Sequence, residues 1–256
     1  MIIPLGDAPN PPRNVPLVTY ALLAANVAVY VFVTLPLSMT PVDPRDPALA
    51  EYVRVIAKNL PPFVSFDAVL RHISAYDLLV FHYGFRPAAP HLSALFSSLF
   101  LHAGFLHLAG NMLFLWIYGD NVEYRLGKAP YLLAYVGTGI AATLFHAAFA
   151  LGSQLPLIGA SGAISGVLGF YFRWFPRNRV RLFVVLFPFF MDVFYLPARV
   201  VLGMFLIVDN LLPFLFTRGA GGSGVAYGAH IGGFIAGLAV AWLLDRTRRR
   251  RFPRYY

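Results

Sequence analysis

Residues Gly159–Trp174 read GASGAISGVLGFYFRW, and the way this stretch fits a bilayer decides the fold. Its helical part, Ser161–Trp174, is an apolar run that closes on Arg173 and Pro176, with glycines at Gly162, Gly166 and Gly169. Fourteen residues of helix rise about 21 Å, roughly 9 Å less than a 30 Å hydrocarbon core. With its basic end at one surface, such a helix starts inside the membrane and leaves Ser161 sunk by about that amount below the other. The preceding Leu155–Ala160 (LPLIGA) is apolar enough to dip in with it. Small residues spaced by three or four let a neighbouring backbone approach closely in lipid, so this run expects a partner.

The surrounding sequence supplies the bilayer. Of 256 residues, 59% are hydrophobic and 12% charged, where a soluble domain carries about 25% charged residues. Further apolar runs occupy Leu17–Leu35, Leu99–Tyr118, Pro130–Leu151, Tyr195–Phe216 and Val225–Leu244, giving six expected spans. The first, following a proline-rich leader, reads as a signal anchor closed by Pro36. Six of the 20 Lys/Arg residues lie in Arg246–Arg254, directly behind the last run, which is the flank of a membrane helix and not a nucleic-acid patch. With both termini cytoplasmic, the inner segments collect thirteen Lys/Arg, whereas the short outer loops carry only Arg218. The expected fold is an all-α bundle of six transmembrane helices in one domain, 1–256. In the long first loop, 36–98, Phe63–Leu70 and Tyr76–Tyr83 suggest short interfacial helices. Leu182–Met191, broken by Pro188, is expected to lie along the cytoplasmic interface. The absence of cysteine excludes disulfides, thiolate metal sites and cysteine nucleophiles.

Polar side chains within spans are costly, which makes them candidates for function. They are His102, His107, Asn111, His146, Ser161, Asp209, Asn210 and His230. Counted from the outer ends of their runs, His230 lies roughly 8 Å deep and His107 roughly 12 Å deep, with Asn111 one turn further on the same face. On the last span His230 shares a face with Gly233 and Gly237, so it points into the seam that Gly162 and Gly166 would fill from the other side. A serine hydroxyl beside an imidazole is the minimal activated nucleophile for acyl transfer. Free N–H groups at the head of the Ser161 helix, with His107 and Asn111, could hold an oxyanion. No carboxylate is placed to orient His230, so the arrangement is a dyad, Asp209 being the one possible third member.

These residues carry a resemblance. Gly159-Ala160-Ser161-Gly162, the histidine–glycine run Ala229-His230-Ile231-Gly232-Gly233 with Gly237, and the spacing of His102, His107 and Asn111 in LHAGFLHLAGNM resemble the signatures of rhomboid intramembrane serine proteases. The likeness continues through LWIYGDNVEYRLG and covers about Tyr83 to Leu244. It implies Ser161 as nucleophile, His230 as general base, His107 and Asn111 in the oxyanion hole, and His102 as support. It implies cleavage of single-span membrane proteins inside their transmembrane segments near the outer face, with no metal or cofactor. Two departures are visible. Ser165 stands where some members have an aromatic packed on the histidine, and Leu95–Leu99 (LFSSL) stands where some bacterial members have a Trp-Arg pair. The lack of a transit segment suggests a prokaryotic plasma membrane. The alternative is a non-catalytic protein of the same fold that binds transmembrane segments for sorting or degradation.

Overall fold

A computed structural model describes residues 2–10, 15–57, 72–186, 190–216 and 225–251. The apolar runs become helices, and the chain order is β1 (Ile2–Ala8), α1 (Leu17–Ser38), α2 (Pro47–Ala57), α3 (Ala75–Tyr83), α4 (Ala94–Ser97), α5 (Phe105–Leu126), α6 (Lys128–Phe149), α7 (Ser161–Trp174), β2 (Arg179–Leu186), β3 (Phe190–Pro197), α8 (Ala198–Phe216) and α9 (Tyr227–Arg251). Four of these, α1, α6, α8 and the Tyr227–Thr247 part of α9, are long and apolar enough to cross a membrane. Their outward faces carry exposed apolar side chains, among them Leu133, Leu144, Val208, Leu215 and Trp242. The chain is a multi-pass membrane protein.

The short helix α7 sits at the centre. Every residue from Gly162 to Tyr171 is buried, and α5, α6, α8 and α9 pack around it. It begins at Ser161 and ends at Trp174, as the apolar run does. Elsewhere the helices depart from the runs. The proline at Pro36 does not end α1, because a π-helical turn over Tyr30–Thr34 precedes it and the helix continues to Ser38. The wider turn, closed by Leu35 N–H on the Tyr30 carbonyl, absorbs the missing donor and the ring that would clash in a tight α turn. The second run shifts most. Leu99–Gly104 is not helical, and α5 runs from Phe105 to Leu126, so His102 lies on the approach to the helix and His107 in its first turn.

The expectation of an all-α chain is corrected by a three-stranded antiparallel sheet in the order β1-β2-β3. Arg179-Val180-Arg181-Leu182 alternates at period two. Val180 and Leu182 turn into the helical core while Arg179 and Arg181 are exposed. The segment expected to lie along the interface is therefore a hairpin, and β3 takes Tyr195–Pro197 from the start of the fifth run. In the first loop the expected helix at Tyr76–Tyr83 forms as α3, opened by a reciprocal Ser74–Asp77 capping box. Phe63–Leu70, Arg13, Pro188 and Arg218 lie outside the described residues.

Three carboxylates tie the end of the bundle that carries the sheet. Glu123, buried on α5, accepts from the N–H groups of Val18 and Thr19 at 3.0 and 2.8 Å and from the Thr19 hydroxyl at 2.8 Å. It caps the N-terminus of α1 where the helix dipole favours negative charge. Asp245 on α9 receives Arg173 at 2.7 Å, Arg125 at 3.2 Å and the Trp174 indole at 3.1 Å, which joins α5, α7 and α9. Asp7 on β1 accepts from the Tyr171 hydroxyl and from the Asn121 amide at 3.0 Å, docking the sheet on α5 and α7.

Burial pushes the Asp7 carboxyl up to about 6; Asp120 nearby adds to the rise, and hydrogen bonds from Tyr171 and Asn178 oppose it. A folded-state value above the unfolded one means that ionisation opposes folding. The group's full contribution is present below the unfolded value of 3.8 and is lost as pH rises through 6. Asp7→Asn cannot ionise, so its melting temperature in detergent is expected to fall less than that of the wild type between about pH 4 and pH 7. Identical slopes would contradict this account.

Candidate active site

At the end of the bundle remote from the sheet, the N-termini of α5, α7 and α9 surround a cavity of about 1040 Å³. Ser161, His230, His107 and Asn111 all line it. Ser161 is the first residue of α7, where the backbone N–H groups have no intrahelical acceptor and the dipole end is positive. Tyr227 opens α9, so His230 projects from its first turn. The two meet with His230 Nε2 2.8 Å from Ser161 Oγ.

That contact depends on how closely α7 and α9 approach. A Cβ added to Gly233 would overlap the Gly162 carbonyl, and one added to Gly237 would overlap the Gly166 carbonyl. Gly166 is closed on its other side by the Thr138 side chain of α6, and Gly162 by Ala142, whose Cβ would lie 2.8 Å from an added one. These glycines bring two helix backbones into direct contact.

His107 faces the serine from α5. A Cβ on Gly159 would fall 2.8 Å from His107 Cε1 and Nε2 and 3.7 Å from Ser161 Oγ, so only a glycine lets the imidazole edge and the hydroxyl share this space. Gly159 also has φ +118°, a conformation that side chains rarely adopt. The Ala103 N–H donates to His107 Nδ1 at 3.4 Å, which puts the ring proton on Nε2, the edge toward Gly159. Asn111, buried one turn on, donates its amide to the His107 carbonyl at 2.9 Å. His102 is fully buried before α5 and meets the His107 ring edge-on at 5.1 Å between centroids. The Tyr76 hydroxyl of α3 holds the His102 backbone at both its carbonyl (2.8 Å) and its N–H (3.1 Å), so the first loop fixes this approach.

Sequence reasoning missed what stands behind His230. Asp209, the expected candidate for a third member, is exposed, while its neighbour Asn210 is buried with Oδ1 2.6 Å from His230 Nδ1. Ser165, on α7, brings no aromatic ring to the histidine. Phe205 of α8 supplies one instead, its ring centroid 6.3 Å from that of the imidazole. The polarity of Asn210 within a span was the available signal; its direction was not, because a π-helical turn over Ile207–Leu211 resets the register of α8. His146, another of the polar residues within the spans, lines the same cavity, and its Nδ1 is buried without a hydrogen-bond partner among the described residues.

Residues 89–247 match the family model of the Rhomboid domain. The chain is 30% identical to Rhomboid protein 1, mitochondrial, of Saccharomyces cerevisiae over 166 residues, which are 62% of this chain and 44% of that protein. It is 30% identical to YdcA of Bacillus subtilis over 166 residues, 62% of this chain and 70% of that one. To Rhomboid-type serine protease 2 of Emericella nidulans it is 26% identical over 169 residues, 63% of this chain and 29% of that one. The chain thus spans less than half the length of the yeast and Emericella relatives.

Replacement of Gly237 by valine must force α9 away from the Gly166 carbonyl. It is expected to lower stability by about 2–4 kcal/mol, read as a drop of several degrees in melting temperature in detergent. Gly110→Val, at a glycine with open space around it, is the matched control and is expected to shift the melt far less.

Proposed function

The chain belongs to the rhomboid family, and on that premise we propose that it is an intramembrane serine endopeptidase working through Ser161 and His230. The observation that carries the reading is the 2.8 Å contact between His230 Nε2 and Ser161 Oγ at the head of a helix that begins inside the bundle. A relative named as a serine protease supports the same chemistry.

The steps follow from the groups in the cavity. A substrate segment unwinds at the cavity mouth beside α8. Nε2 of His230 takes the hydroxyl proton as Ser161 Oγ attacks the scissile carbonyl. The oxyanion is held by the N–H of Ser161, the Nε2–H of His107 and the Asn111 amide. His230 then passes its proton to the leaving amine. Water admitted to the cavity hydrolyses the acyl-enzyme with His230 as base again.

As part of the proposal the chain is one domain that crosses the bilayer six times, with α5 and α7 as the two crossings enclosed by the others. Both termini are cytoplasmic. Support comes from Arg125, Arg173, Arg179 and Arg181, which gather with the sheet at the end opposite the cavity. The substrates are single-span membrane proteins cut near the outer face, in a plasma membrane.

The test uses purified protein in liposomes with a model single-span substrate bearing small, helix-weakening residues near its outer end. Wild type is expected to cut it at one position, with Ser161→Ala and His230→Ala lowering the rate by at least about 10³-fold. Equal cutting by all three would reject the assignment. Binding of the substrate without cutting by any of them would favour the non-catalytic alternative.

A further inference from the structure

The structure assigns a third residue to this pair: we infer that Asn210 is a positioning residue that fixes the imidazole of His230 in the tautomer a general base requires. The inference rests on the protease reading and extends it to a group on a different helix.

The hydrogen-bond roles follow in one direction from a backbone carbonyl. The Phe205 carbonyl can only accept, and Asn210 Nδ2 lies 2.7 Å from it, so the amide nitrogen faces Phe205. The amide oxygen therefore faces His230, with Oδ1 2.6 Å from Nδ1. A carbonyl oxygen cannot donate, so the ring proton sits on Nδ1. Nε2 is left with its lone pair, 2.8 Å from Ser161 Oγ, and the hydroxyl is the donor. With the proton on Nε2 instead, the imidazole would donate to the serine and could not take its proton.

The local structure is built for this. Asn210 is buried while Asp209 beside it is exposed, and both belong to the π-helical turn of α8. The extra residue in that turn rotates the amide inward and keeps the carboxylate out. Phe205, whose carbonyl anchors the amide, also sets its ring beside the imidazole. One turn of α8 thus holds His230 both in its plane and from its face. A neutral amide performs the orientation without burying a charge, which in this enclosed cavity would carry a large desolvation cost.

The test compares Asn210→Leu, which removes both hydrogen bonds at similar volume, with Asn210→Asp, which keeps an acceptor for Nδ1 and exchanges the amide donor to Phe205 for a carboxyl oxygen, at the desolvation cost of any charge it carries. In the liposome cleavage assay Asn210→Leu is expected to lower kcat by about tenfold to a hundredfold, the range for a hydrogen bond to a group that becomes charged. KM is expected to change by less than about threefold, since Asn210 is buried behind His230 and not among the residues that line the cavity. Asn210→Asp is expected to recover most of kcat, whereas a merely structural tie to Phe205 would leave it as impaired as Asn210→Leu.

A spectroscopic measurement stands apart from turnover. In protein labelled with ¹⁵N-histidine, the His230 signals, identified by their loss in His230→Ala, are expected to show the proton on Nδ1 in wild type and on Nε2 in Asn210→Leu. A wild-type Nε2–H tautomer, an unchanged kcat in Asn210→Leu, or an Asn210→Asp as slow as Asn210→Leu overturns the inference. Undiminished cleavage by Ser161→Ala would instead end the protease reading, and the nitrogen spectrum would still decide the role of Asn210.

Discussion

Everything in this molecule hangs on two helix backbones touching. Between lipid-embedded helices there is no hydrophobic drive to associate, because the tails are as apolar as the side chains, so packing and backbone proximity have to supply the specificity. The seam between α7 and α9 does this with Gly162 and Gly166 on one side and Gly233 and Gly237 on the other, each carbonyl occupying the space that a Cβ would need. Because the seam admits only one register, the heads of the two helices lie level, and a serine on one meets a histidine on the other. The short length of α7 then has a purpose: it ends the helix at the depth where a hydroxyl and unpaired N–H groups can face a shared cavity.

The two ends of the bundle divide the work. Where the sheet docks, Glu123 on α5 gathers its donors from the start of α1, and Asp245 and Asp7 each gather donors from α5 and α7, fixing the starts and ends of helices against one another. At the other end the polar groups line open space and converge on one hydroxyl. The two ends are joined by α5, α7 and α9, each carrying an anchor near the sheet (Glu123, Arg173 and Asp245) and a residue of the cavity at its other end (His107, Ser161 and His230).

How much of this was legible in the sequence depends on the reach of the signal. The run Ser161–Trp174 gave α7 its bounds because an apolar stretch closed by Arg173 and Pro176 has one reading in a bilayer. The Ser161–His230 pairing was legible because glycine spacing and depth both act along single helices. The second run misled on α5. Leu99–Leu101 is apolar enough to begin a span, yet Tyr76 captures the His102 backbone and holds it out of the helix, a tertiary contact that hydropathy cannot register. The hairpin was hidden in a chain dominated by helices, although the alternation of Arg179, Val180, Arg181 and Leu182 carried its period. Asn210 was visible as a costly polar residue, but its aim was set by a π turn, and an α-helical count places such a residue on the wrong face.

On the proposed chemistry, His230 activates Ser161 in place. The most direct measurement is reaction of the folded protein with a fluorophosphonate, with the modified residue located by mass spectrometry of its peptides. A single adduct on Ser161 is expected in wild type, with nearly all of it lost in His230→Ala at an unchanged melting temperature. An adduct on another residue, or equal labelling of Ser161 with the imidazole removed, would contradict it.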